Sequence, residues 1–165
     1  MPRSSVNTGG VTGPFKLTDG VVTIRPPMPD DAAVLIAGRD EEFHRWLGPG
    51  TGEPRPTACI VDDDEIVGWI DYEAGRDWLP HGAVNIGYAL FAPARGNGYA
   101  TRAIVLLLEH LAAQPDVDTA TVLIDPANVR SLAVAERAGF THAGTVNESL
   151  YLTRSVRSGP GRPAR

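Results

Sequence analysis

Between residues 84 and 91 large apolar side chains recur at every second position: Val84, Ile86, Tyr88 and Leu90. That period predicts a strand. Its other face carries Asn85, Gly87, Ala89 and Phe91 and is small at its centre, so another backbone or a ligand can approach there. The spacing then changes. Ala100, Ala103, Ile104, Leu107, Leu108 and Leu111 follow i, i+3, i+4, i+7, i+8 and i+11, the stripe of a core-facing helix that Val105 and Leu106 widen. Between strand and helix lies Arg95-Gly96-Asn97-Gly98-Tyr99-Ala100. A glycine-rich turn opening a helix presents backbone N–H groups where the macrodipole is positive, a site suited to a phosphate or diphosphate.

The pattern elsewhere is plainer. The β-branched run 21–25 predicts a first strand, ended by Pro26-Pro27. Pro29-Asp30-Asp31 opens a helix reaching about Arg39, with Ala32, Leu35 and Ile36 on one face. A short helix over 41–47 is closed by Gly48-Pro49-Gly50. Strands over 57–61 and 66–72 flank Asp62-Asp63-Asp64-Glu65, which reads as a solvated hairpin turn rather than a calcium loop, since no glycine marks the bend. The loop 75–82 holds Trp78 and His81 and either borders a cleft or packs at the surface. Pro115 ends the long helix, a strand covers 117–124, and Asn128 caps a helix over 129–138 that Gly139 closes. A terminal strand pair covers 140–146 and 149–153. Residues 1–13 read as a loose arm, 14–154 as one domain and 155–165 as a basic tail.

Composition narrows the classes. The chain has 165 residues, 42% apolar and 21% charged, enough for one real core. The net charge of −5 argues against a nucleic-acid partner bound through positive charge. No window is apolar enough to span a membrane, and the first residues lack the apolar stretch of a secretory signal. A single cysteine, Cys59, allows no internal disulfide and fits a reducing cytoplasm. Nothing in the four histidines shows metal-ligand spacing, so no metal is expected.

Two phosphate-binding readings of the glycine turn fail. A dinucleotide fingerprint needs a third glycine where Thr101 stands, and Asp118 lies at the wrong end of its strand to hold a ribose. A P-loop needs Gly-Lys-Ser/Thr, which is missing. A closer match is Arg95-x-x-Gly98-x-Ala100 following a Gly-Tyr strand. It resembles the acyl-CoA signature of the GNAT N-acetyltransferases. An Ile-Arg-Pro strand, an Asp-Asp-Ala helix, an Ile-Val-Gly strand, Asn128-x-x-Ser131 and Ala138-Gly139-Phe140 stand in the matching order over about 130 residues. The set resembles the RimJ/RimL-like branch.

The resemblance implies an α+β fold, with a mixed, strongly twisted central sheet flanked by helices on both faces. It implies acetyl-CoA as acyl donor, its diphosphate on the backbone of Arg95, Gly96, Asn97, Gly98, Tyr99 and Ala100. The pantetheine arm would lie between splayed strands, the thioester near Leu90, Phe91 and Ala92, with Asn128 and Ser131 beside the arm. The implied reaction is direct attack by a primary amine, on a protein N-terminus or a small molecule, in a ternary complex. The implied protein is a monomer or homodimer. The competing class is a non-catalytic acyl-CoA-binding or interaction module on the same fold.

The acid and base depart from the family pattern. A tyrosine common seven residues after the asparagine is Ala135 here. A glutamate common just before Ile-Gly-Tyr is Asn85, and another after the turn is Arg102. Asp71 and Glu73 remain as cleft-side carboxylates, and Ser131 and Glu73 stand as the candidate catalytic residues. Tyr151 is a further candidate acid, and Cys59 reads as a buried strand residue.

Overall fold

A computed structural model describes residues 15–157. The expected N-terminal arm and the last eight residues of the expected tail lie outside them. One eight-stranded sheet forms the frame, in the order β1-β2-β3-β4-β5-β6-β8-β7. The strands are β1 (Leu17–Thr18), β2 (Thr23–Arg25), β3 (Ala58–Asp62), β4 (Glu65–Glu73), β5 (Ala83–Leu90), β6 (Thr119–Ile124), β7 (Thr141–Val146) and β8 (Ser149–Ser155). Four helices join them: α1 (Asp31–Ala37), α2 (Glu41–Leu47), α3 (Tyr99–Ala112) and α4 (Val129–Arg137). Among the described residues, only the β5–β6 pair is parallel.

Adjacent residues of β3 feed opposite faces of the sheet. Ile60 joins the main core with Ile104, Leu107 and Leu111 of α3 and Ala135 of α4. Cys59 joins a smaller cluster with Leu35 of α1 and Trp69. Helices therefore cover both faces, which buries the apolar side of each and fixes the strand register. The acidic run forms a two-residue hairpin with Asp63 and Asp64 at φ 45° and 67°, a left-handed pair whose twist matches the flanking strands.

Local chemistry sets the helix starts. Asp40 caps α2 by accepting the Phe43 N–H at 2.9 Å. Asp31 opens α1 and is buried, where it accepts from Arg25 at 2.7 Å and from the Met28 N–H at 2.6 Å, joining β2 to α1. The arginine beside it holds its carboxyl below the usual range.

The structure departs from the sequence reading at four places. Ile36 is 48% exposed, because a seven-residue helix buries only Asp31 and Leu35. Val105 is 40% exposed, being rotated off the stripe, while Leu106 is buried as expected. An unforeseen β1 exists because Asp19 Oδ1 accepts the N–H groups of Val21 and Val22, turning residues 19–22 into a bend and delaying β2 to Thr23. At the other end β8 runs on to Ser155, Val156 is buried, and Arg157 pairs with Asp118 at 2.8 Å.

His110, on α3, stacks on Phe15 with ring centroids 4.1 Å apart, and its Nε2 is buried without a partner. Burial holds this imidazole below its ordinary pKa of 6.5. The unfolded chain therefore binds the proton first as pH falls. Stability from this site is full above pH 6.5 and declines below it. Thermal melts from pH 7.5 to 5.0 are expected to show a falling Tm, with a shallower fall in His110→Phe.

Candidate functional site

β5 and β6 pair only at Ala83↔Thr119, Val84↔Ala120 and Asn85↔Thr121. Beyond those three positions the two strands part, although both continue. The Phe91 N–H goes to the Val67 carbonyl of β4 at 2.8 Å. In an antiparallel pair the backbone groups of successive residues point to alternate sides. Ile86, Tyr88 and Leu90 therefore turn their N–H and C=O groups toward the gap that β6 has left. Such groups need partners.

The gap opens into a cleft of about 340 Å³. One end is the glycine turn. After a 3-10 turn over Ala92–Ala94, Gly96 and Gly98 take φ of 80° and 76°, a region that glycine enters without strain. A Cβ on either would meet nothing within 4 Å, so the conformation rather than crowding requires them. α3 starts with no side-chain cap, and its first internal bond is Arg102 N–H to Gly98 C=O. The N–H groups of Gly98, Tyr99, Ala100 and Thr101 thus have no acceptor within the helix. The Thr101 hydroxyl, at the same end of the cleft, is buried and has no partner. A concentration of unused donors at a helix N-terminus suits a bound anion.

The α4 side is built by Asn128, whose Oδ1 accepts the Ser131 N–H at 3.2 Å. Ser131 Oγ in turn meets the Tyr88 hydroxyl at 3.0 Å, a bond that spans the cleft from α4 to β5. Burial pushes the Tyr88 phenol up. On the opposite side Glu42, Phe43, Trp46 and Leu47 of α2 face the cleft over Gly87 and Ala89.

Arg95 ties the turn to α2. Its guanidinium bonds Asp40 at 2.7 and 2.9 Å and Glu42 at 2.9 Å. That contact holds the Asp40 carboxyl well below the usual range and raises Arg95. Glu42 also lies 3.6 Å from Arg130 of α4, so charges from three elements meet across the cleft mouth. Asn97 donates to the Ala94 carbonyl at 3.0 Å, and the Tyr99 hydroxyl bonds Asp62. Both side chains fasten the turn to its surroundings.

Of the expected donor-binding residues, Leu90, Arg95, Gly96, Gly98, Tyr99, Ala100, Asn128 and Ser131 line this one cleft. Phe91, Ala92 and Asn97 stand outside its lining, and Phe91 packs on the Leu35–Cys59 cluster. Glu73 also stands outside it, half-buried and paired with Arg76 at 2.9 Å. Tyr151 packs edge-on against Trp78 rather than into the cleft. Asp71 is different. It is partly buried opposite Gly87, Thr57 donates to its Oδ1 through both N–H and hydroxyl, and burial pushes its carboxyl up. Asn85 is held by the Thr121 hydroxyl at 3.2 Å, where strand pairing ends. Cys59 is buried, its thiol pushed up to about 11, and inert as expected.

Sequence reasoning missed Thr101, Tyr88 and the α2 wall. Thr101 was legible only as a failed glycine. Tyr88 lay on the face of large apolar side chains, with nothing in the strand period to show that the neighbouring strand leaves.

Residues 22–141 match a family described as Acetyltransferase (GNAT) domain. No curated protein gives a significant match. Among solved structures, the aminoglycoside acetyltransferase AAC(6')-Ib in complex with coenzyme A superposes with a TM-score of 0.69. It is 23% identical over 81% of this chain and 94% of its own. RimJ of Mycobacterium smegmatis, in complex with CoA-disulfide, also gives 0.69, at 23% identity over 90% and 88%. A GNAT-family acetyltransferase of Bacillus anthracis gives 0.73, at 13% identity over 87% and 100%. These likenesses establish the fold.

Removing the Arg95 side chain strips α2 of its main anchor and leaves α3 intact. Arg95→Ala is expected to speed amide exchange over residues 41–47 by roughly tenfold or more, the scale of a lost charged hydrogen bond. Exchange in α3 should hold, as read by hydrogen–deuterium exchange.

Proposed function

The chain belongs to the GNAT acetyltransferase family, and on that premise we propose that it moves acetyl from acetyl-CoA to a primary amine by direct attack in a ternary complex. The observation that carries this reading is the parting of β5 and β6. It leaves unpaired strand backbone in the same cleft as the uncapped N-terminus of α3 and the wall of α2.

Each part has a stated task. The N–H groups of residues 96–101 and the Thr101 hydroxyl hold the diphosphate. The backbone of Ile86, Tyr88 and Leu90 pairs with the amides of the pantetheine arm, which takes the place of the absent strand partner. A strand N–H near Leu90 donates to the thioester carbonyl, whose oxygen gains charge as the amine attacks. Asn128 and Ser131 flank the arm. Tyr88, hydrogen-bonded to Ser131, is the hydroxyl placed to protonate the leaving thiolate. Arg95 acts through structure, by holding the turn against α2, and its backbone rather than its guanidinium serves the anion. The donor sites of the aminoglycoside acetyltransferase and of RimJ, both solved with coenzyme A or a CoA derivative, support the same choice of donor.

Two measurements test this. At about one hundred times its Kd, acetyl-CoA should stabilise the fold by about 2.7 kcal/mol, and thiol release should require an amine. A thermal shift without amine-dependent thiol release would favour a binding module instead. Thr101→Val removes a buried hydroxyl that lacks a partner in the free chain. The free variant is expected to melt at or above the parent temperature, yet to bind acetyl-CoA about tenfold more weakly. Equal affinity by calorimetry would remove Thr101 from the phosphate site.

A further inference from the structure

We infer that the α2 side of the cleft is the acceptor subsite, that it takes a primary monoamine joined to an apolar or aromatic body, and that Asp71 is the base that receives the amine proton. This rests on the acetyl-transfer reading above.

The wall comes first. α2 buries none of its residues in the core. Phe43, Trp46 and Leu47 instead turn to the cleft, with Leu47 44% exposed. Apolar surface held in this way is available to a ligand. The floor is Gly87 and Ala89, and a Cβ at Gly87 would meet nothing within 4 Å. Charge then narrows the class. The carboxylate on this wall, Glu42, is already engaged by Arg95 and faces Arg130. The other carboxylate lining the cleft, Asp125, already accepts the Ala127 N–H, so a polycation finds few acids to match its second and third charges.

The base follows from strand register. Asp71 and Gly87 are directly opposed on β4 and β5. Such pairs place Cβ positions about 4.5–5.5 Å apart, so Asp71 adjoins the Gly87 floor from just outside the cleft lining and meets a nitrogen over Gly87 through one water. Thr57 takes Oδ1 and leaves Oδ2 free of partners. The titratable groups near Asp71 are its neighbours on the same strand: Glu73, paired with Arg76, and the Tyr72 phenol, which burial and the Asp71 charge both push up. Thr57, Asn85 and Gly87, which flank it on β3 and β5, do not titrate. Burial raises the Asp71 carboxyl, which brings it nearer to the amine it must deprotonate.

The step balances as follows. The ammonium form gives one proton to Asp71, which passes it to water. The neutral nitrogen forms a C–N bond to the acetyl carbon as the C–S bond breaks. The second nitrogen proton ends on the thiolate, giving amide and free CoA thiol.

Steady-state kinetics with 2-phenylethylamine, a Phe-Ala dipeptide, spermidine and kanamycin test the class. Either aromatic amine should exceed both polycations by at least about tenfold in kcat/KM, and their ratio distinguishes a free amine from a peptide N-terminus. Preference for spermidine or kanamycin would overturn the substrate class. Asp71→Asn keeps the Oδ1 acceptor for Thr57. It should lower kcat/KM roughly a hundredfold at pH 7 and lose the acid limb of the pH profile, with acetyl-CoA affinity by calorimetry unchanged. A parental rate and pH profile would overturn the base. Gly87→Val should bind acetyl-CoA normally and lose turnover; full turnover would move the acceptor off this floor. If acetyl-CoA binds and no amine is acetylated, the transfer reading itself fails, and this one with it.

Discussion

The constraint on which this molecule turns is the obligation of backbone N–H and C=O groups to find partners. A sheet normally meets it by pairing every interior strand on both sides. Here β5 is an interior strand paired on both sides for three residues and on one side thereafter. The rest of the fold allows that exception. α3 and α4 pack the main core beneath the parting strands, and β8 and β7 continue the sheet beyond β6, so the opening lies inside the sheet and not at its edge. An edge would invite another chain to add a strand. A gap enclosed by two helices admits something narrower.

Charge then joins what the gap separates. Arg95 sits in the turn before α3, while its partners Asp40 and Glu42 belong to the start of α2. The same aspartate that caps α2 is therefore the counter-ion of the arginine in the glycine turn. The turn and the opposite wall are joined by one arginine and two carboxylates, so any shift of the turn reaches α2 directly. The bond between Tyr88 and Ser131 adds a second crossing, from strand to helix, at the level where the gap widens.

Much of the fold was legible because its elements carry strong local signals. The α3 stripe, the capped α2 and the acidic hairpin stand close to the limits expected of them. The glycine turn was legible because two glycines two residues apart before an apolar stripe have few other uses. What was not legible depends on long-range geometry. Glu73 and Asp71 share a face and differ by two positions, yet one meets Arg76 in solvent and the other meets Thr57 under cover. Only the register of β3 on β4 separates them. Likewise no local rule shows that Tyr88 reaches across to Ser131, 43 residues away. β1 was missed because a two-residue strand carries no period, and its cause is the side chain of Asp19.

α2 is anchored by its cap and one arginine and contributes nothing to the core. Its cleft-facing positions can therefore change without the cost that core positions impose, where each lost methylene is felt. The donor end has no such latitude, since its glycines are fixed by backbone angle. On the acceptor reading proposed above, descendants of this chain can diverge in what they accept while keeping what they donate, and a designer wishing to retune selectivity would begin with a helix of seven residues.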